Sequence, residues 1–232
     1  MKWIVIILFL IVAAAVGNFW YDGYSARSAL LKQPVYRVLR KHEPQLFDKL
    51  VEEYKVFERN ESRREDFVNF ANYEISLAAT QNLAHASQQS VLALVGDMVA
   101  TARKLEKQPG DICFRYWFPQ VSGPPDVAKY IDAPAQAHTL ELMGDVIRSA
   151  QENPAPLPEA DAFEANLANV INATYEQYGV DAQMIAHAED ARVDRKKVCT
   201  ITISVYDRIL KLPPKQSGEL IRAMTQVRVK PK

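Results

Sequence analysis

The sequence predicts an all-α protein in which an N-terminal transmembrane helix precedes a single multi-helix bundle domain with one disulfide. Three observations indicate this fold class. The chain opens with a long apolar run, most later segments repeat apolar residues every three or four positions, and the 232 residues contain only two cysteines. A repeat of three to four is the period of a helix, and one apolar face per helix is typical of a bundle.

Residues 1–21 form the predicted transmembrane signal anchor. No charged side chain occurs from Trp3 to Tyr21. About 19 helical residues at 1.5 Å each span roughly 28 Å, which is close to the thickness of a hydrocarbon core. Trp3 at one end and Phe19, Trp20 and Tyr21 at the other are rings that favour the membrane interface.

Two alternatives to an uncleaved anchor stay open. Ala13 and Ala15 have the spacing of small residues that a signal peptidase recognises, and an apolar helix is also found buried in soluble cores. The orientation has evidence on both sides, because basic residues that closely follow the span favour a cytoplasmic body by the positive-inside rule. These residues are Arg27, Lys32, Arg37, Arg40 and Lys41.

Cys113 and Cys199 are predicted to form a disulfide, with two buried free thiols as the alternative. Paired cysteines are typical of domains that fold in an oxidising compartment. Neither cysteine has a second Cys or His at the spacing of a zinc site, so we expect no metal. The disulfide outweighs the basic flank. We therefore predict a single-pass inner-membrane protein with residues 22–232 on the periplasmic or extracytoplasmic side.

The body of the chain reads as consecutive helices. Helical spacing of apolar residues covers 24–40, with a bend or division at Pro34, and 44–60. Further helices are predicted over residues 133–152, 163–178, 181–187, 194–212 and 217–224. Asp194 and Ser217 are the predicted N-caps of the last two. The proline-rich stretch NPAPLPEAD is predicted to be a stiff extended connector, because proline fixes φ and lacks a donor.

The predictions for residues 163–178 and 198–206 depend on which residues share a face. For the helix over 163–178, the predicted inward stripe is Phe163, Leu167, Val170, Ile171, Thr174 and Tyr178. Residues 198–206 resemble a strand, because apolar and polar residues alternate from Cys199 to Ile203. Ile201 and Val205 also share a helical face, however, and no other strand is available for pairing. We therefore predict a helix here.

A long run from Ser62 to Pro109 turns polar in its middle. Its apolar residues recur every seven positions, which predicts the seam of a packed bundle. They are Phe70, Leu77, Ala84, Val91, Met98 and Leu105. Gln81, His85 and Gln88 fall on or beside this stripe, so the run either breaks there or buries a polar layer. These three residues are the candidate site for a small polar ligand.

Aromatic residues crowd around Cys113. Arg115, Tyr116, Trp117 and Phe118 form the candidate interaction surface, because Trp, Tyr and Arg dominate binding hot spots. The same rings would also anchor a loop to the core by burying a large apolar area. The cysteine in their midst favours the anchoring role.

No motif identifies a catalytic site. The eight glycines form no phosphate-binding loop and no GxSxG turn, and we expect no cofactor. His138 and Glu141 have helical spacing but lack a second carboxylate-bearing helix. The 28 basic and 28 acidic residues leave no basic excess, so we expect no nucleic-acid partner.

Together these features predict a non-catalytic, membrane-anchored envelope module that binds another protein in an accessory, assembly or toxin-neutralising role. Its expected partners are the membrane, through residues 3–21, and an unidentified protein. One alternative is a ligand-sensing bundle whose pocket is the polar stretch. The other is an envelope hydrolase that uses Glu141 or Glu164 with His138.

Overall fold

The computed structural model describes residues 25–60 and 63–226, and every regular element in these ranges is helical. The predicted all-α bundle with one disulfide is thereby confirmed for this part of the chain. The predicted anchor at residues 1–21 lies outside the described ranges, and so does Ser62, where the predicted long run starts. No helix within these ranges is long and apolar enough to cross a membrane.

The chain divides into two compact units, residues 1–78 and 79–232. The first unit contains the helical residues 25–30, helix α1 (Pro34–His42), helix α2 (Pro44–Arg59) and most of helix α3 (Arg64–Asn82). The prediction of a single domain over residues 22–232 stays a prediction.

Prolines start the first two helices. Pro34 and Pro44 occupy the first helical turn, where the missing N–H removes no helical bond. Pro34 therefore divides the predicted helix over 24–40. The core of this unit includes Leu39, Phe47 and Leu50, each at most 1 % exposed.

The second unit is organised around helix α4. Its elements are a 3₁₀ turn (Leu83–His85), α4 (Gln88–Glu106), α5 (Ile112–Trp117), α6 (Pro119–Ser122), a 3₁₀ turn (Val127–Lys129), α7 (Ala133–Glu152), α8 (Ala160–Tyr178), a 3₁₀ segment (Gly179–His187), α9 (Arg195–Lys211) and α10 (Pro214–Gln226). Helix α4 packs against α5, α7, α9 and α10. Helix α8 packs on α9 and α10.

The predicted seven-residue seam is wrong as a continuous feature. The helical run breaks after Asn82, and Ser87 caps a new helix by accepting a hydrogen bond from the Ser90 N–H. Because of the break, residues spaced seven positions apart no longer share one buried face. Val91 and Leu105 are fully buried, whereas Leu77 is 42 % exposed.

The last two helices begin at different kinds of residue. Asp194 is the N-cap of α9, as predicted, and accepts from the Lys197 N–H at 3.0 Å. The predicted cap at Ser217 is wrong. Helix α10 begins at Pro214, whose fixed φ suits a first helical position, and Ser217 lies fully buried inside the helix. The next residue is Gly218. A Cβ atom at this position would lie 2.7 Å from the Gln88 Cγ and would clash with it.

Residues 198–206 are helical, as predicted. Helix α9 buries Val198, Ile201 and Thr202 against its neighbours. The Thr202 hydroxyl donates to the Val198 carbonyl at 2.8 Å, so burial leaves it satisfied. Packing against four helices, α4, α5, α8 and α10, thus outweighs the strand propensity of the β-branched residues.

The proline-rich connector at residues 153–159 has no regular secondary structure and lies inside the second unit. Arg222 of α10 is only 6 % exposed. Its guanidinium donates to the Ala84 carbonyl at 2.9 Å and to the Pro156 carbonyl. Burial lowers the pKa of Arg222, and the nearby Glu219 carboxylate opposes that shift. Arg222 therefore joins α10, the Leu83–His85 turn and the connector.

The predicted disulfide between Cys113 and Cys199 is present and joins α5 to α9. The two Cα atoms lie 5.9 Å apart, a normal separation for this bond. Both residues are buried, at 5 % and 1 % exposed. The bond closes a loop that contains α6, α7, the connector and α8.

Replacing both cysteines, Cys113→Ser with Cys199→Ser, should lower the free energy of unfolding by about 4.5 kcal/mol, because the sequence separation of 86 residues makes the closed loop long. Urea unfolding of the two proteins, followed by circular dichroism, measures the difference. The unaltered protein in reductant should behave like the double variant. Equal urea midpoints for the oxidised and reduced proteins would contradict this expectation.

Arg222→Met should lower the free energy of unfolding by about 2 kcal/mol, because two carbonyl groups lose a charged donor while the apolar stem is kept. The same urea assay measures it. Arg40→Met is the matched control, since Arg40 is exposed. A loss at Arg222 no larger than at Arg40 would show that the buried guanidinium does not hold the connector.

Candidate protein-interaction surface

The three predicted polar-layer residues, Gln81, His85 and Gln88, are exposed. Of the two alternatives, a helix break or a buried polar layer, the structure shows the break, and these residues lie on the outside. His85 Nδ1 lies 3.4 Å from the Ala155 carbonyl oxygen of the connector. Ligand binding by these residues stays a prediction.

Partly buried side-chain hydrogen bonds are made near the break by other residues. Ser90 and Ser149 share a hydrogen bond at 2.8 Å between their hydroxyl oxygens. The Gln151 amide donates to the Asn82 side-chain oxygen at 2.8 Å. These bonds join the break to α7, and they satisfy polar groups that α4 and α7 bury.

The aromatic segment of α5 is half-buried. Trp117 stacks on Tyr206 of α9, with ring centroids 4.7 Å apart and planes 6° apart. Phe118 stacks on the buried Phe114 at 5.0 Å. Burial, with a smaller contribution from the Asp97 carboxylate, raises the pKa of Tyr116. These contacts favour the anchoring role for the rings.

Arg115 supports the same interpretation. Its guanidinium donates to the Gly123 carbonyl at 3.2 Å and to the Pro124 carbonyl at 2.8 Å. The side chain is therefore occupied in holding the loop that follows α6. Binding of a partner by Arg115, Tyr116, Trp117 or Phe118 stays a prediction.

A groove of about 260 Å³ opens beside Phe118. Its apolar wall is formed by Phe118, Val121, Ile185 and Ala188, and its remaining lining residues are Gln120, Ala186, His187, Glu189 and Asp190. The apolar wall belongs to the same cluster that surrounds Phe114. The groove is therefore open to solvent and lies beside α5, the helix that the disulfide joins to α9.

A second surface lies on helix α8. Val170 and Thr174 point inward, and each is 4 % exposed. Ile171 and Tyr175 lie about 100° farther round the helix and are 43 % and 41 % exposed. The prediction that Ile171 belongs to the inward stripe is wrong, because α9 and α10 cover only one side of α8.

The exposed side of α8 carries a regular stripe. Glu164, Ala168, Ile171 and Tyr175 are all exposed, and their spacing of four, three and four residues places them on one helical face. We call these four residues the α8 outer stripe. Helix α8 ends at Tyr178 and is followed by Gly179, whose φ of 56° suits glycine. The next residue, Val180, is 80 % exposed.

Sequence reasoning missed this surface because α8 has apolar residues on two sides. Leu167, Val170 and Thr174 fit an inward stripe, and Ala168, Ile171 and Tyr175 fit another stripe at the same spacing. The second repeat was a usable signal. A helix with one apolar face would not carry both.

The residues of the hydrolase alternative do not form an enclosed site. His138, Glu141 and Glu164 are all exposed to solvent. In the described ranges, no group of three or more His, Cys, Asp or Glu side chains is placed to hold a metal ion.

No family model matches the chain, and no curated protein or solved structure is significantly similar to it.

Asp190, at the edge of the groove, should titrate near pH 2. The Arg192 side chain donates to both carboxylate oxygens, at 3.1 and 2.8 Å. These hydrogen bonds lower the pKa of Asp190 from 3.8 to about 2. Because the folded pKa is depressed, the stabilisation by this pair is complete above pH 3.8 and is lost as the pH falls towards 2.

Arg192→Ala should return the pKa of Asp190 towards 3.8, as measured by NMR titration of the carboxyl carbon. Lys197→Ala is the control, because Lys197 pairs with Asp181 instead. An Asp190 pKa that is already ordinary in the unaltered protein would rule out the pair in solution.

Proposed function

We propose that this protein is a non-catalytic envelope module that binds another protein through the α8 outer stripe. The proposal includes residues 1–21 as a transmembrane anchor and residues 22–232 as a domain outside the cytoplasm. The observation that carries it is the stripe itself. Ile171 and Tyr175 stay more than 40 % exposed on a helix whose other side is buried.

Several features of the stripe suit a protein partner. Aromatic and aliphatic side chains at helical spacing are typical anchors when one helix docks against another surface. Helix α8 is also a rigid support, since its inner side packs on α9 and α10. A rigid apolar surface loses little conformational entropy on binding.

The proposed location rests on the disulfide and on the composition of the leader. Disulfides persist in oxidising compartments. The uncharged run up to Tyr21 has the length that a membrane span requires. A partner in the envelope would therefore meet the folded domain at the membrane surface.

A photo-crosslinking amino acid at position 175 should capture one partner in stoichiometric amount from intact cells, because Tyr175 is one of the exposed apolar residues of the proposed interface. The full-length protein with the same group at Lys104 is the control, since Lys104 is exposed on α4. Crosslinked species are separated by electrophoresis and identified by mass spectrometry. The absence of a specific product at position 175, or the same products at both positions, would contradict the proposal.

A further inference from the structure

The stretch of sequence that contains the α8 outer stripe is unusually acidic for this chain. From Ser149 to Ala191 there is no Lys or Arg, although the whole protein has 28 of them. The same segment contains eight acidic residues, namely Glu152, Glu159, Asp161, Glu164, Glu176, Asp181, Glu189 and Asp190. A nearly neutral protein thus has a strongly negative segment.

Only some of these acids are neutralised by the rest of the domain. Asp181 pairs with Lys197 and Asp190 with Arg192, each at 2.8 Å. Both cations come from outside the acidic segment. Among the residues that the structure describes, Glu164 and Glu176 of α8 make no ion pair.

Glu164 and Glu176 lie where they would meet a docked partner. Glu164 is part of the outer stripe, two helical turns before Ile171. Glu176 follows Tyr175 in sequence and lies about 100° farther round the helix, so it flanks the stripe. Both carboxylates are exposed. The stripe therefore has one negative charge at its N-terminal end and a second beside its C-terminal end.

We propose that the α8 outer stripe binds a basic amphipathic helix of another protein. This inference rests on the proposed function and names the chemistry of its partner. The apolar side of such a helix would cover Ala168, Ile171 and Tyr175, and its Lys or Arg residues would lie against Glu164 and Glu176. Complementary charge at the edge of an apolar contact raises the association rate and selects the partner.

The same charges argue against two other occupants. In a second copy of this chain, packed through α8, glutamates would meet glutamates across the interface. An anionic lipid surface would repel the stripe in the same way. Like charges brought together at an interface repel one another, so both occupants are disfavoured.

Binding of designed peptides tests the proposal. The probe is a fluorescent peptide of about 18 residues, or five helical turns, with leucines along one face and lysines elsewhere. Two matched peptides carry glutamate in place of lysine, or the same residues in scrambled order. Fluorescence anisotropy measures their affinity for the full-length protein in nanodiscs of zwitterionic lipid, with empty nanodiscs as the blank.

The lysine peptide should bind at least about tenfold more tightly than the other two. Ile171→Ser and Tyr175→Ser should each weaken its binding about tenfold, because they remove apolar anchors. Glu164→Gln and Glu176→Gln should each weaken it about threefold at low salt, and this effect should disappear at about 1 M salt, where charges are screened. Glu141→Gln and Tyr73→Ser change an exposed acid and an exposed tyrosine elsewhere, and should have no effect.

Two outcomes would overturn the proposal and would do so for different reasons. If the glutamate peptide binds as well as the lysine peptide, or if the glutamine variants bind unchanged while the serine variants do not, then the surface binds a partner that is not basic. If no peptide binding depends on Ile171 or Tyr175, and position 175 gives no specific crosslink, then the proposed function itself fails.

Discussion

The burial of helix α4 is the constraint from which the second unit follows. Its wide apolar stripe, which includes Val91, Leu94, Val95 and Leu105, needs cover from more than one neighbour. Helices α5, α7, α9 and α10 supply that cover. Helix α8 then packs on α9 and α10, as an outer element of the unit. Its far side faces solvent, because the other helices already cover the apolar stripe of α4.

Two ties hold the irregular segments against this core. The disulfide fastens the aromatic segment of α5 to α9, and the stacking of Trp117 on Tyr206 extends that contact. Arg222 holds the proline-rich connector by donating to the Pro156 carbonyl, and it also donates to the Ala84 carbonyl. These two hydrogen bonds offset the free-energy cost of burying the guanidinium. The two ties act by different physics. The covalent bond restricts the unfolded chain, whereas the guanidinium compensates polar groups in the folded one.

The candidate interface combines a rigid support with an unusual distribution of charge. Apolar residues on a helix that is already packed on one side do not need to reorganise before they bind a partner. The lack of any Lys or Arg between Ser149 and Ala191 is invisible in the overall composition, which is balanced. Local charge, rather than net charge, therefore carries the information about a partner.

The sequence by itself determined the helical class, the cap at Asp194, an interruption at Pro34 and the pairing of the two cysteines. Each of these depends on local chemistry or on the absence of any other partner. Only the tertiary structure decided that Ile171 faces solvent, that Gln81 and Gln88 are exposed and that Ser217 is buried inside a helix. Helical periodicity shows which residues share a face. Which face is covered depends on the positions of distant helices, and these are set by the packing of the whole core.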